Sequence, residues 1–232
     1  MSTAPQATLE LSEAYGPLIS GELSTRYVMV TGGRGSGKSF AVAIAACLWA
    51  REPGARILFT RYTLTSAHDS IIPEFLEKID LLQCGGEFRS TQYSVDHSRG
   101  GDILFRGIKT GSLVQTAKLK SLQGVNVWVL DEATELDDPE TFETIDLSIR
   151  DSRRPNLVVL VMNPCHKAHW LYPRFFEGIP PEFCGVRNGV TYIHTTYEDN
   201  MPNLPSGYLA LARSMRETNP VRYEHIWRGH WA

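Results

Sequence analysis

The stretch Tyr27-Val28-Met29-Val30-Thr31, followed at once by Gly32-Gly33-Arg34-Gly35-Ser36-Gly37-Lys38-Ser39, decides the fold of this chain. Its first five residues are mostly apolar or β-branched, which favours a buried strand. Its last eight fit the pattern G-x-x-x-x-G-K-S/T at every fixed position. The glycines let backbone N–H groups point at phosphate oxygens, Lys38 reaches the β and γ phosphates, and the Ser39 hydroxyl ligates Mg²⁺. A helix-favouring run follows at residues 39–50, so the stretch predicts a nucleoside triphosphate site rather than an ordinary glycine-rich turn. The predicted ATP ligands are Gly32, Gly33, Arg34, Gly35, Ser36, Gly37, Lys38 and Ser39.

The composition bounds the class of protein. The chain has 232 residues, 42% of them hydrophobic and 21% charged, which is typical of a globular protein and disfavours both disorder and membrane insertion. Its net charge of −3 excludes a generally basic, nucleic-acid-coating surface, so any contact with nucleic acid must be local. The four cysteines are scattered and form no zinc or disulfide pattern. Residues 1–10 lack the features of a secretory signal, so we expect the protein to work inside a cell.

Short apolar runs alternate with amphipathic stretches, which predicts a mainly parallel sheet flanked by helices. The predicted strands are Tyr27 to Thr31, Arg56 to Thr60, Val125 to Leu130, Leu157 to Met162 and Val190 to Thr195. Residues 87–109 are interpreted as an antiparallel hairpin insertion. One helix is predicted over residues 66–82, with a kink or a late start at Pro73. Another is predicted from an Asp138 cap to about Arg150–Arg153. We divide the chain into an N-terminal extension (1–20), a core (21–196) and C-terminal lid helices (197–232).

The strand ending at Leu130 runs into two carboxylates, Asp131 and Glu132. Open α/β sheets place their ligands beyond the carboxyl ends of the strands, so Asp131 is the candidate Mg²⁺ ligand beside Ser39. Glu132 is spaced to orient or deprotonate a water in line with the γ-phosphate, which indicates hydrolysis. The plainer alternative is that both carboxylates only cap the loop before the next helix.

Three further residues are candidates around the γ-phosphate. Asn163 follows a strand and could contact the γ-phosphate or the attacking water, or it could simply form a turn before Pro164. Hydrolysis develops negative charge that an arginine can neutralise. Arg34 is the candidate within the chain, and Arg150 is the candidate supplied to a neighbouring subunit, against the alternative that it belongs to a solvated surface cluster.

With these motifs placed, the chain resembles the N-terminal ATPase domain of the large terminase subunit of tailed bacteriophages. The resemblance runs over about residues 20–230 and includes motifs in the family's order. They are the phosphate loop, Arg56-Ile57-Leu58 with Arg61, Lys120-Ser121-Leu122-Gln123-Gly124, the acidic strand, Asn163-Pro164, and the tail from Asn219-Pro220 to Gly229. The implied fold class is an α/β P-loop NTPase of the additional-strand catalytic-Glu type, with a β-hairpin insertion and a small C-terminal helical lid.

The resemblance implies a motor that hydrolyses ATP to move double-stranded DNA into a procapsid in the host cell cytoplasm. Its expected partners are the DNA, the portal protein, the small terminase subunit and further copies of the chain in a ring, although the isolated chain could be a monomer. Within that family Glu132 is the expected base, Lys38 and Arg34 lie by the γ-phosphate, and Asn163 couples hydrolysis to movement. No carboxylate cluster of a nuclease domain is evident, so we expect no DNA cleavage from this chain.

Three alternatives remain open at this stage. A helicase or recombination ATPase shares the same core, although the order of motifs argues against it. A nucleotide-dependent assembly module would bind ATP with little turnover. A small-molecule kinase is disfavoured by the carboxylate that follows Asp131.

Overall fold

A nine-stranded sheet lies at the centre of the residues that the computed structural model describes, 10–64, 71–109 and 123–232. The strands are β1 (Tyr27–Gly32), β2 (Arg56–Thr63), β3 (Phe88–Ser90), β4 (Ser94–His97), β5 (Asp102–Lys109), β6 (Val127–Leu130), β7 (Leu157–Met162), β8 (Gly185–Arg187) and β9 (Val190–Thr195). Their spatial order is β3-β4-β5-β2-β6-β7-β1-β9-β8. The six strands from β5 to β9 in that order run parallel, and β3, β4 and β8 pair antiparallel at the two sides.

Helices cover both faces of the sheet. They are α1 (Gly16–Ser20), α2 (Lys38–Trp49), α3 (Ile71–Leu81), α4 (Pro139–Asp146), α5 (Ser206–Thr218) and α6 (Pro220–Ile226). Side chains alternate across each strand, so in β1 Val28 and Val30 pack into the layer that contains α2 and α3. Met29 packs on the opposite face with Trp128 and Phe142 of β6 and α4. A smaller cluster lies under α5 and α6 and includes Tyr223 and Trp227. No helix of the described residues is long and apolar enough to span a bilayer.

The strand order brings four segments to one edge of the sheet. Strands β6, β7, β1 and β9 are neighbours and parallel, so the residues that follow them meet at their carboxyl ends. We call this the carboxyl edge and the opposite side, where the same strands begin, the amino edge. The five parallel strands predicted from the sequence are confirmed, with the third one shorter by two residues at its start.

The segment interpreted as a hairpin insertion differs from the expectation in one respect. Its antiparallel pairing is present, because β3 pairs with β4 and β4 with β5. Strand β5, however, also pairs in parallel with β2, from Arg56 opposite Asp102 to Thr63 opposite Lys109. The hairpin therefore extends the central sheet and is not a separate appendage. A run of apolar residues shows that a strand exists but does not show which strand it pairs with.

The predictions for the two helices have different outcomes. Helix α3 is described from Ile71 to Leu81 and contains Pro73. Residues 65–70 lie outside the described residues, so the predicted kink or late start at Pro73 stays a prediction. The prediction that α4 extends to Arg150–Arg153 is wrong, since the helix ends at Asp146. The Arg26 guanidinium donates to the carbonyl oxygens of Asp146 and Ile149 at 2.8 and 3.3 Å. These bonds tie the last turn to the start of β1 and satisfy carbonyls that a longer helix would use.

The described part of the predicted extension, residues 10–20, and the predicted lid both pack on the core. Tyr15 and Leu18 are buried within the layer that contains α2. The motif at residues 120–124 lies mostly outside the described residues. The C-terminal segment returns to the phosphate loop, where the Arg34 N–H donates to the carbonyl oxygen of Ile226 at 2.8 Å. Both terminal segments therefore border the loop.

Candidate active site

The phosphate loop lies between β1 and α2. Gly35 and Gly37 have φ angles of 81° and 80°, which glycine adopts without strain. Gly37 caps α2 without a side-chain hydrogen bond, so N–H groups of the first turn point into the loop at the positive end of the helix dipole. The Ser36 hydroxyl is buried and has no hydrogen-bond partner among the described residues. An unpaired buried donor in such a loop fits a phosphate oxygen.

Two of the loop glycines are required by close backbone contacts. A Cβ on Gly32 would lie 2.1 Å from the carbonyl oxygen of Thr195, at the end of β9. A Cβ on Gly33 would lie 2.0 Å from the carbonyl oxygen of Trp227, just after α6. The C-terminal segment is thus packed directly against the loop backbone, at a distance that no side chain permits.

Lys38 turns toward the end of β7. Its Nζ donates to Asn163 Oδ1 and, at 3.4 Å, to the carbonyl oxygen of Gly33. Burial lowers the pKa of the Lys38 ammonium to about 8, against a smaller opposing effect of the Asp131 carboxylate. The structure therefore brings Lys38 and Asn163 together at the carboxyl edge.

The two carboxylates after β6 occupy different environments. Asp131 is 2% exposed, and its Oδ1 lies 3.3 Å from the Ser39 hydroxyl. A carboxylate and a hydroxyl form a hard-oxygen donor set, which fits Mg²⁺. Among the described residues no group of three or more His, Cys, Asp or Glu side chains could hold a metal. Further ligands at this pair would have to be water or phosphate oxygens, as is usual for Mg²⁺.

Glu132 has a strained backbone and an altered acidity. Its φ of 56° puts a non-glycine residue in the left-handed region, an uncommon conformation that clusters at functional sites. Its pKa is raised, first by burial and then by the nearby carboxylates of Glu135 and Asp131. A carboxylate whose pKa is raised toward neutrality is a better proton acceptor than an ordinary glutamate.

The two candidate arginines lie apart. The Arg34 side chain is exposed at the mouth of the loop. Arg150 is also exposed, but it lies between α4 and β7 at the amino edge, remote from the phosphate loop of its own chain. Only Arg34 is placed by the structure near the other candidates. A role for Arg150 in a neighbouring subunit stays a prediction.

Sequence reasoning assigned no role in the site to three residues that border it, although Arg61 stands in one of the motifs. Arg61 of β2 donates from Nε to Asp131 Oδ2 at 2.9 Å. The Tyr15 hydroxyl donates to the Ser36 carbonyl oxygen at 3.1 Å and lies 2.5 Å from Thr195 Oγ1. The Asn200 amide donates to the Gly35 carbonyl oxygen at 2.8 Å. Position at the end of a parallel strand could have suggested a role for Arg61, whereas nothing local signals Tyr15 or Asn200.

Comparison with known proteins decides the family. A family model described as phage terminase large subunit matches residues 24–230. The chain belongs to this family. The terminase large subunit of Bacillus phage SPP1 is 24% identical over 212 residues, covering 88% of this chain and 48% of that protein. The chain thus spans about half the length of the curated relatives it matches.

Solved terminase structures share the fold. The large terminase of a thermophilic bacteriophage superimposes with a TM-score of 0.74 at 12% identity, over 97% of this chain and 54% of that one. That thermophilic-phage terminase has also been solved with ADP and with ATP-gamma-S. The large terminase ATPase domain of Thermus phage P74-26 gives a TM-score of 0.61 at 18% identity, over 97% of this chain and all of that one. The predicted terminase resemblance and α/β P-loop fold class are confirmed.

Proposed function

We propose that this terminase family member hydrolyses ATP to drive double-stranded DNA into a phage procapsid. The observation that carries the proposal is the convergence at the carboxyl edge. Lys38, Ser39 and Asp131 lie beside Glu132, and the backbone N–H groups of Gly35 and Gly37 have no hydrogen-bond partner among the described residues. The thermophilic-phage terminase, with the same fold, has been solved with ADP and with ATP-gamma-S, which supports a nucleotide in this loop.

The residues divide the work of phosphoryl transfer to water. Loop N–H groups and the Ser36 hydroxyl bind phosphate oxygens, and the Lys38 ammonium moves from Asn163 to the β and γ phosphates. Ser39 and Asp131 would hold Mg²⁺, which when bound neutralises charge on the phosphate oxygens. Glu132 accepts a proton from the attacking water, and its raised pKa suits that step. Arg34 stabilises the charge that develops on the γ-phosphate.

The partners and setting follow from the family. We propose that copies of the chain form a ring on the portal protein in the host cytoplasm, with the small terminase subunit delivering DNA. In that ring Arg150 reaches the neighbouring subunit's site, which agrees with its exposure and with its distance from its own loop. Mixing Lys38→Ala with wild-type chains would test this arrangement. Lys38→Ala chains are inactive but still supply Arg150 to a wild-type neighbour. A mixture of wild type with Lys38→Ala should therefore hydrolyse ATP faster than a mixture of wild type with chains that carry both Lys38→Ala and Arg150→Ala.

Steady-state ATP turnover with and without duplex DNA tests the proposed function. The wild type should hydrolyse ATP. Duplex DNA should raise the rate of hydrolysis, because an enzyme that moves along DNA couples its ATP turnover to DNA binding. Lys38→Ala should abolish turnover, while Lys167→Ala, which removes an exposed lysine outside the loop, should not. ATP binding without turnover under all conditions would favour an assembly module. Separation of DNA strands would favour a helicase.

A further inference from the structure

Among the described residues, Arg61 is the charged group in closest contact with the candidate metal ligand Asp131. It lies in β2, next to β6, and its Nε donates to Asp131 Oδ2 at 2.9 Å. The Arg61 side chain is 22% exposed and that of Asp131 is 2% exposed, so little water competes for this contact. A charge-assisted hydrogen bond in such a place is stronger than one at the surface.

The two oxygens of the Asp131 carboxylate face different partners. Oδ2 accepts from Arg61, while Oδ1 lies 3.3 Å from the Ser39 hydroxyl on the side of the phosphate loop. We propose that Arg61 is a positioning residue that fixes one oxygen of Asp131 so that the other is presented, with Ser39, to the metal ion of the bound nucleotide. This inference rests on the proposed function, because it takes the loop and Asp131 to hold a nucleotide with its metal.

The guanidinium is itself held from the other side. Its Nη2 lies 3.6 Å from Glu74 Oε2 on α3. The backbone adds a third constraint, since the Asp131 N–H donates to the carbonyl oxygen of Thr60 at 2.9 Å. Side chain and backbone of Asp131 are therefore both fixed to β2. Partners that orient metal ligands in this way affect metal affinity strongly although they never touch the metal.

The alternative is that Arg61 supplies only a counter-charge. The two accounts predict opposite signs for a variant that removes the charge. If Arg61 is only a positive charge beside the carboxylate, its loss removes a repulsion and metal binding tightens. If Arg61 orients the carboxylate, its loss weakens metal binding. Lysine also separates the accounts, because it keeps the charge but not the planar fork of the guanidinium.

The same strand provides a matched control. Arg56, at the start of β2, makes an equivalent bond from its Nε to Asp102 Oδ2 at 3.1 Å. This pair lies at the amino edge, at the opposite end of β2 from the nucleotide loop. Arg56→Gln removes an arginine–carboxylate pair of the same geometry that faces no candidate metal ligand.

The experiment measures binding of Mn²⁺, which replaces Mg²⁺ and is visible by electron paramagnetic resonance, to the full chain with ADP. Affinity for ADP is measured separately in EDTA by displacement of a fluorescent analogue. Arg61→Gln should weaken Mn²⁺ binding by about tenfold or more. Arg61→Lys should also weaken it, and Arg56→Gln should leave it unchanged. Affinity for ADP in EDTA should be the same in all of these variants.

Wild-type Mn²⁺ affinity in Arg61→Gln, tighter binding in that variant, or full rescue by Arg61→Lys would each overturn the inference. If circular dichroism shows that Arg61→Gln does not fold, Arg61→Lys decides. If the wild type binds ADP and Mn²⁺, and Asp131→Asn loses Mn²⁺ binding, the proposed function stands. One of the contrary results for Arg61 then overturns the inference alone. A wild type that binds neither ADP nor ATP would overturn the proposed function as well.

Discussion

At the amino edge of the sheet, Asp146 accepts a hydrogen bond from Arg26 at 2.6 Å and another from the Tyr27 hydroxyl at 2.6 Å. At the carboxyl edge, one oxygen of Asp131 accepts from Arg61 at 2.9 Å, while among the described residues the other accepts only a long bond from the Ser39 hydroxyl at 3.3 Å. Both carboxylates are largely buried and both are paired with an arginine. Asp146 accepts a short hydrogen bond on each of its oxygens, whereas Asp131 accepts a short bond on only one.

The two edges also differ in their other polar groups. The carboxyl edge has a buried hydroxyl without a partner among the described residues at Ser36, a strained backbone at Glu132 and a lysine of lowered pKa at position 38. The amino edge uses its arginine–carboxylate pairs to close the ends of strands and helices, as Arg26 does for α4. An unpaired buried atom alone does not mark the functional edge, because Asp151 Oδ2 at the amino edge also lacks a hydrogen-bond partner among the described residues. The functional edge is marked by the combination of an unpaired hydroxyl, a strained residue with a carboxylate and a lysine of lowered pKa.

The largest expected effect is on turnover. Glu132→Gln should bind ATP and lose hydrolysis by about a hundredfold or more, because it removes the proton acceptor and keeps the shape of the side chain. The measurement is steady-state turnover beside a nucleotide-binding titration. Glu135→Gln, which lies slightly later in the same loop, is the matched control and should retain turnover. Equal rates in wild type and Glu132→Gln would remove Glu132 from the mechanism.

The packing of the C-terminal segment on the phosphate loop can be tested by adding a methyl group at Gly33. Gly33→Ala should lower the free energy of unfolding by roughly 1–3 kcal/mol, because its Cβ would overlap the Trp227 carbonyl oxygen. Nucleotide affinity should fall with it, since the loop must shift. Urea unfolding measures the first effect. The control is Gly86→Ala, where a Cβ meets nothing within 4 Å. If Gly33→Ala and Gly86→Ala have the same free energy of unfolding, the C-terminal segment does not pack on the loop as described.

The amino edge should show the reverse behaviour, with an effect on stability alone. Asp146→Asn should lower the free energy of unfolding by about 1–2 kcal/mol, because it removes the charge that Arg26 and Tyr27 share. ATP affinity should not change. Glu143→Gln breaks the exposed pair with Arg174 and should cost less. Loss of ATP affinity in Asp146→Asn would mean that the two edges are coupled.

The last prediction concerns the pH dependence of ATP binding. The pKa of Lys38 is lowered by burial to about 8 in the free site, and phosphate binding favours the charged form. Above pH 8, Lys38 must then take up a proton when the nucleotide binds. ATP affinity should fall as pH rises through 8, by up to about tenfold for each further unit. Lys38→Arg stays charged and should flatten this dependence in a fluorescent-nucleotide titration. A wild-type affinity that is flat across this range would contradict the lowered pKa.

Sequence was sufficient where the signal is local. The loop from Gly32 to Ser39 and the Asp131-Glu132 pair each lie within a few residues of a recognisable strand, and both are at the edge that the fold rule requires. The same holds for Asp138, which caps the start of α4 by accepting from the N–H groups of Glu140 and Thr141. Local chemistry fixes such features before the rest of the chain is known.

Contacts between distant residues could not be predicted. The end of α4 depends on Arg26, which lies 120 residues away from Asp146 in the chain. The Tyr15 hydroxyl meets Thr195 across 180 residues. Pairing of Arg61 with Asp131 requires β2 and β6 to be neighbours, which the order of strands along the chain does not reveal. Each of these depends on the spatial order of the strands rather than on a pattern within one segment.

The most direct test of the account is a structure of the chain with Mg²⁺ and an ATP analogue that is not hydrolysed. The account predicts phosphates in the loop from Gly32 to Ser39, the metal on Ser39 and Asp131, and Lys38 Nζ moved from Asn163 to the phosphates. The bonds of Asp146 at the amino edge should be unchanged. A nucleotide bound elsewhere, or in the loop with Lys38 still on Asn163, would contradict the claim that the unfilled groups of the carboxyl edge form the site.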